Sequence, residues 1–143
     1  MHHARRHHDA LLPSPIDPSW VVAGDPVAHA TRWGGSPDGR LTTFVWSCTA
    51  GTFDWRFGCD EIIHVVEGSV TVTSPEGVTT TLGVGDSGYF PAGTVWRWQV
   101  PTYVRKHATL VAPVPGVVTW CLGLARRAKQ LVTGSRTPSP ASP

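Results

Sequence analysis

Apolar and polar side chains follow one another with a period of two along much of this chain, and that constrains the fold more than any other feature. LTTFVWSC (residues 41–48) and EIIHVVEG (61–68) each read as a half-buried strand, and SVTVTS follows directly after Gly68. SVTVTS and VTTTL flank Pro75-Glu76-Gly77, where proline presets one turn angle and glycine frees the other, as a hairpin needs. Further strands are expected near 27–32, 52–57, 86–90, 95–100 and 103–111. Strands recurring about every 8–12 residues, with turn residues between them, predict an all-β sandwich or barrel. Gly (15) and Pro (13) are plentiful in 143 residues, which favours many short strands over long helices.

The ends differ from the middle. Residues 1–18 are rich in His, Arg and Pro and are expected to form a flexible arm that holds His2, His3, His7 and His8. The barrel is expected over 19–115, a short C-terminal helix over 116–133 and a disordered tail over 134–143. The most apolar window, Leu110 to Ala125, is interrupted by Pro113 and Pro115 and is shorter than the ~20 residues that cross a bilayer. That window reads as a last strand, a turn and a docked helix, so no membrane partner is expected. The alternative is a membrane-surface anchor ending in Arg126, Arg127 and Lys129. No continuous apolar stretch precedes the first prolines, so no signal peptide is expected either.

A formal charge of +2 is too small to argue for a nucleic-acid partner, and Arg5, Arg6, Arg126 and Arg127 in its count lie near the ends. Cys48, Cys59 and Cys121 are odd in number and form no CxxC pair, which suits free thiols in a reducing cytosol. The expected location is therefore cytoplasmic. LGVGD is followed by no helix and is not read as a phosphate loop.

WVVAGDPVAHATRW, SPDGRLTTFVWSCTAGTFDW, CDEIIHVVEGSVTV, LGVGDSGYFPAGT and WQVPTYVRKH occur in that order. Together they resemble single-domain cupins of the ureidoglycine-aminohydrolase-like family, many of which have no assigned reaction. The resemblance spans about Trp20 to Leu110. It implies a small double-stranded β-helix, or jelly-roll, barrel with a ligand-sized cavity, and commonly a homodimer.

The resemblance also frames a test. Metal-binding cupins carry H-x-H shortly before a glutamate and a further His three residues past P-x-G. With Glu61 as that glutamate, the first pair falls among Asp54, Trp55, Arg56 and Phe57, and the last position is Trp96. Outside the arm only His29, His64 and His107 remain, and His64 lies on the opposite strand face from Glu61. No metal and no other cofactor is therefore expected. A loose cation held by Asp54 and Glu61 through water stays open.

A carboxylate inside an apolar barrel needs a partner or a proton. Lys106 is the candidate partner, since the resemblance places its strand beside the interior and Val104, Lys106, Ala108 and Leu110 share a face. The alternative puts Lys106 on the surface and Glu61 at the barrel rim. Seven tryptophans form the second signal (20, 33, 46, 55, 96, 98, 120). Trp46, Trp55, Trp96 and Trp98 would either fill the barrel or wall a pocket. Cys59 shares Glu61's parity and joins the candidate ligand-binding set, although a structural thiol is the plainer role. His64 reads as a packing or dimer-contact residue.

Three functions follow. One is a cytosolic cupin that binds a small organic molecule without the three-His metal site. The second is a metal-independent enzyme, aminohydrolase-like or of isomerase or lyase type, with Glu61 as acid–base group and Lys106 beside it. The third is a structural or regulatory dimer that binds no ligand.

Overall fold

The computed structural model describes residues 10–114. Nine strands follow one another: β1 (Leu12–Pro13), β2 (Val21–Gly24), β3 (Ala28–Gly35), β4 (Leu41–Arg56), β5 (Asp60–Gly68), β6 (Val70–Thr73), β7 (Thr79–Leu82), β8 (Ser87–Phe90) and β9 (Val95–Val111). A single 3-10 turn, Pro18–Trp20, opens on Asp17, whose carboxylate accepts from the Ser19 N–H and hydroxyl. All the pairings are antiparallel. The order β1-β3-β4-β9-β5-β8 makes one wall, while β2 pairs with the far half of β4 and β6–β7 with the near half of β9. This is the all-β architecture that the strand pattern predicts and the jelly-roll barrel that the resemblance implies.

β4 and β9 tie the two walls together, and here the structure departs from the expected strand count. Residues 41–48 and 52–57 read as two strands, as do 95–100 and 103–111, yet each pair is one long bent strand. Thr49 pairs with Tyr103 and Gly51 with Val100, so Pro101 and Thr102 together oppose Ala50. That is a β-bulge, which bends a strand without ending it and accommodates a proline that cannot donate to the ladder. Gly51 permits the bend from the other side, because a Cβ there would come within 2.7 Å of Pro26.

The hairpin between β6 and β7 is as expected. Gly77 adopts φ of 86° and donates to the Ser74 carbonyl, and Ser74 in turn donates to Val78. The threonine hydroxyls of Thr71 and Thr81, and of Thr73 and Thr79, meet across the strands.

The arm expected over 1–18 needs correction for its described part. Leu12 and Pro13 pair with Ala30 and His29, Ser14 donates to the Ala28 carbonyl, and Ile16 is buried in the core. The cause is tertiary: this segment gains an edge pairing and a buried side chain that its local composition does not signal. The helix expected over 116–133, the tail over 134–143 and Cys121 lie outside the described residues. Among the described residues no helix is long and apolar enough to cross a membrane.

The core lies between the walls. Cys48, Phe53, Ile63, Val65, Val70, Phe90, Trp98 and Val104 are almost wholly removed from water. Their alternation with exposed neighbours fixes which residues of β5 and β9 face inward.

Candidate functional site

Strand parity builds the site. On β5, Glu61, Ile63 and Val65 face inward, while Ile62 and His64 face out. On β9, Val104, Lys106 and Ala108 face inward. Lys106 lies across from Trp46 on β4 and from Val65 on β5, whereas Glu61 lies across from Leu110. The lysine stem therefore reaches along the inner wall toward the carboxylate. Its Nζ donates to Glu61 Oε1 at 2.6 Å, and the residues are 3% and 5% exposed.

Three indole rings surround the ammonium. Its Nζ lies 4.5 Å from the Trp98 ring centre, 4.9 Å from that of Trp46 and 6.0 Å from that of Trp55. At these distances the negative faces of the rings attract the cation. The indole N–H groups of Trp46 and Trp98 are buried and have no hydrogen-bond partner among the described residues. These two rings thus contribute through their π systems and their bulk. Trp55 is held edge-on by Trp20 at 5.6 Å and by Trp46 at 5.7 Å.

Beside this pair lies a cavity of about 200 Å³. Its polar lining is Ser14, Glu61 and Lys106, and its apolar walls are Ala30, Phe44, Trp46, Trp55, Ala108 and Leu110. The structure thus brings Trp46, Trp55, Glu61 and Lys106 to one cavity. The alternative with Lys106 on the surface is excluded by its burial.

The other candidate residues stand elsewhere. Trp98 lies against Lys106 and Phe53 but not on the cavity wall. Trp96 packs edge-on against Phe90 at 5.0 Å and donates to the Thr94 hydroxyl, also away from the cavity. It shares parity with Trp98, which does not line the cavity either, although Trp55, its partner across the ladder, does. Cys59 is half-buried in the turn before β5, where strand parity no longer applies, and does not line the cavity either. Cys48 is fully buried, and burial pushes its thiol up to about 12, so it is no nucleophile.

Asp54 is taken up on the outer side of the β4–β9 ladder, where Arg97 grips it at 2.9 and 3.1 Å. That grip, chiefly by hydrogen bonding, holds the Asp54 carboxyl below its ordinary range. It is therefore turned away from Glu61. His64 faces outward, bonded to the Ser87 hydroxyl at 3.1 Å and paired across the ladder with His107. Among the described residues no group of three or more His, Cys, Asp or Glu converges.

Ser14, Ala30 and Phe44 were missed by sequence reasoning. Phe44 shares parity with Trp46 in LTTFVWSC, a signal that would have found it. Ser14 had none, because its place depends on the pairing of β1 with β3.

The EutQ-like cupin domain family matches residues 35–108. Among solved structures, a DUF861-family protein of unknown function from Pseudomonas syringae is 25% identical with a TM-score of 0.65, covering 71% of this chain and 44% of that one. The chain thus spans less than half of that protein's length. The EutQ protein of Clostridium difficile is 20% identical with a TM-score of 0.55, covering 69% and 81%. A cupin superfamily protein of Desulfitobacterium hafniense is 11% identical with a TM-score of 0.52, covering 60% and 78%. The last two likenesses speak to the fold alone. No curated protein matches the chain.

Proposed function

This chain belongs to the EutQ-like cupin domain family, and from that premise we propose that it binds a small organic molecule in the cavity floored by Glu61 and Lys106, without a tightly held metal. One observation carries the reading: a buried ion pair borders a cavity that aromatic rings wall but do not fill. Removing two charges from water costs several kcal/mol each, and aliphatic side chains of like volume often stabilise as well or better. Packing alone therefore gives little reason for such a pair. A concave, mostly apolar site with a few convergent polar groups is the usual anatomy of a ligand site.

The residues present do not fit the metal centre that cupins often hold. A borderline ion is bound by imidazole nitrogens with carboxylate support. Here the corresponding positions carry Asp54, Trp55, Arg56, Phe57 and Trp96, and Glu61 faces a cation already, the Lys106 ammonium. A second cation at that carboxylate would meet like charge at close range.

An enzymatic reading is favoured by the same pair. A carboxylate desolvated beside an ammonium is a candidate acid–base group, and the ureidoglycine-aminohydrolase likeness belongs with this reading. A homodimer and a cytoplasmic location complete the proposal.

The test is a thermal-shift panel of small neutral, acidic and basic organic molecules on the full chain. A true ligand raises stability with concentration, by about 2.7 kcal/mol at a hundred times its Kd. Ala30→Leu, which fills the cavity, should abolish that rise. If no class of compound stabilises the protein, the reading fails.

A further inference from the structure

We propose that the cavity takes a small, neutral, planar carboxamide or lactam, whose N–H donates to Glu61 and whose carbonyl accepts from Lys106. This rests on the reading of the cavity as a binding site and extends it to the ligand's chemistry. The charges on the cavity lining are one carboxylate and one ammonium, each the other's partner at 2.6 Å. An anionic ligand that drew Lys106 away would leave Glu61 buried and uncompensated. A cationic ligand at Glu61 would strand Lys106 in the same way. Stranding one member of a buried pair costs more than the pair itself contributes. A neutral group with a donor beside an acceptor avoids both outcomes.

Both partners keep capacity for such a group. An ammonium has three N–H donors, and Glu61 Oε1 takes one of them. Among the described residues Lys106 is the donor that Glu61 receives, which leaves Oε2 able to accept from a ligand. The Trp46 and Trp98 rings hold the ammonium in place meanwhile, so the pair is preorganised.

Walls and size complete the description. Phe44, Trp46 and Trp55 present ring surface to a flat ligand, and Ala30 and Leu110 accept its apolar remainder. The cavity, at about 200 Å³, is smaller than the ~300–1,000 Å³ of sites for drug-sized molecules. A single ring bearing one amide is of the right scale.

Benzamide, benzoate and benzylamine are close in size and differ in the charge of the polar group. Each is titrated into the full chain and followed by tryptophan fluorescence. Benzamide should bind at least about tenfold more tightly than either charged analogue, the worth of one charge-assisted hydrogen bond. Glu61→Gln leaves Lys106 without its carboxylate and should shift the preference to benzoate. The ranking in the unmodified protein decides the matter whether or not that variant folds. Tighter binding of benzoate or benzylamine, blocked by Ala30→Leu, would overturn the amide class while the binding reading stood. Benzamide binding that Ala30→Leu leaves intact would place the ligand outside the cavity and overturn the proposal too. If only compounds unlike these three stabilise the protein in the thermal-shift panel, the amide class is again wrong. If nothing in the panel does, the binding reading itself has failed.

Discussion

Lys106 on β9 and Glu61 on β5 meet at 2.6 Å inside the barrel, with both side chains almost wholly out of water. Their strands are neighbours, yet they are not cross-strand partners, since Lys106 stands opposite Val65 and Glu61 opposite Leu110. The pair is a feature of side-chain reach and barrel curvature, and it fixes what the interior can hold.

Breaking the pair should cost more than deleting it. Lys106→Met alone leaves a buried carboxylate, and Glu61→Gln alone leaves a buried ammonium, so each should lower stability by about 3–5 kcal/mol. The double variant Glu61→Leu with Lys106→Met should recover most of that loss. Urea denaturation of the three variants checks it. Additive losses would mean that the two charges are not coupled.

Ring position should separate ligand contacts from packing. Trp55 lines the cavity and Trp96 does not. For any ligand found in the thermal-shift panel, Trp55→Ala should weaken binding by about tenfold or more, as loss of an aromatic anchor does. Trp96→Ala should change affinity by less than about twofold. Equal effects in a titration would undo the assignment of Trp96 to packing.

His107 should make the fold acid-sensitive. Burial first, then the charges of His64 and Arg105, hold its imidazolium below the ordinary pKa of 6.5. The unfolded chain therefore takes up this proton before the folded one. Its contribution is intact above pH 6.5 and is lost as pH falls from there through the lower folded value. His107→Gln should flatten the fall in unfolding free energy between about pH 7 and pH 5. An unchanged slope across that window would show that His107 is not its source.

Two turn glycines should respond unequally to alanine. A Cβ at Gly68, with φ of 68°, would fall 1.9 Å from the Tyr103 carbonyl oxygen. At Gly77, with φ of 86°, a Cβ would meet nothing within 4 Å. Gly77→Ala should cost about 1–2 kcal/mol, the left-handed penalty alone. Gly68→Ala should cost about 3 kcal/mol or more, because the backbone of β9 must also give way. Thermal unfolding ranks them, and a reversed order would contradict the geometry.

The inward face of β5 and β9 was legible in the sequence because parity is a local property. Parity groups Lys106 with Val104 and Ala108 and sets His64 opposite Glu61, and the resemblance, which places the strand of Lys106 beside the interior, makes Lys106 the candidate partner of Glu61. Parity fails where the chain is not a regular strand, as at Cys59 in its turn. It is also silent about which inward rings border a cavity: Trp55 does, while Trp98 and Trp96, the partner of Trp55 across the ladder, do not. Gly51 and Pro101 looked like strand ends, but a bulge absorbs both and the strands continue past them. Ser14 and β2 owe their place to partners far along the chain, on β3 and β4, and no neighbouring residue announces those pairings.

Metal content tests most directly whether Lys106 occupies the space at Glu61 that an ion would need. The measurement is elemental analysis of the full chain with His2, His3, His7 and His8 changed to Gln, so that these four do not contribute. The account predicts far less than one transition ion per chain, with no change on Glu61→Gln. About one ion per chain, lost on Glu61→Gln, would contradict it.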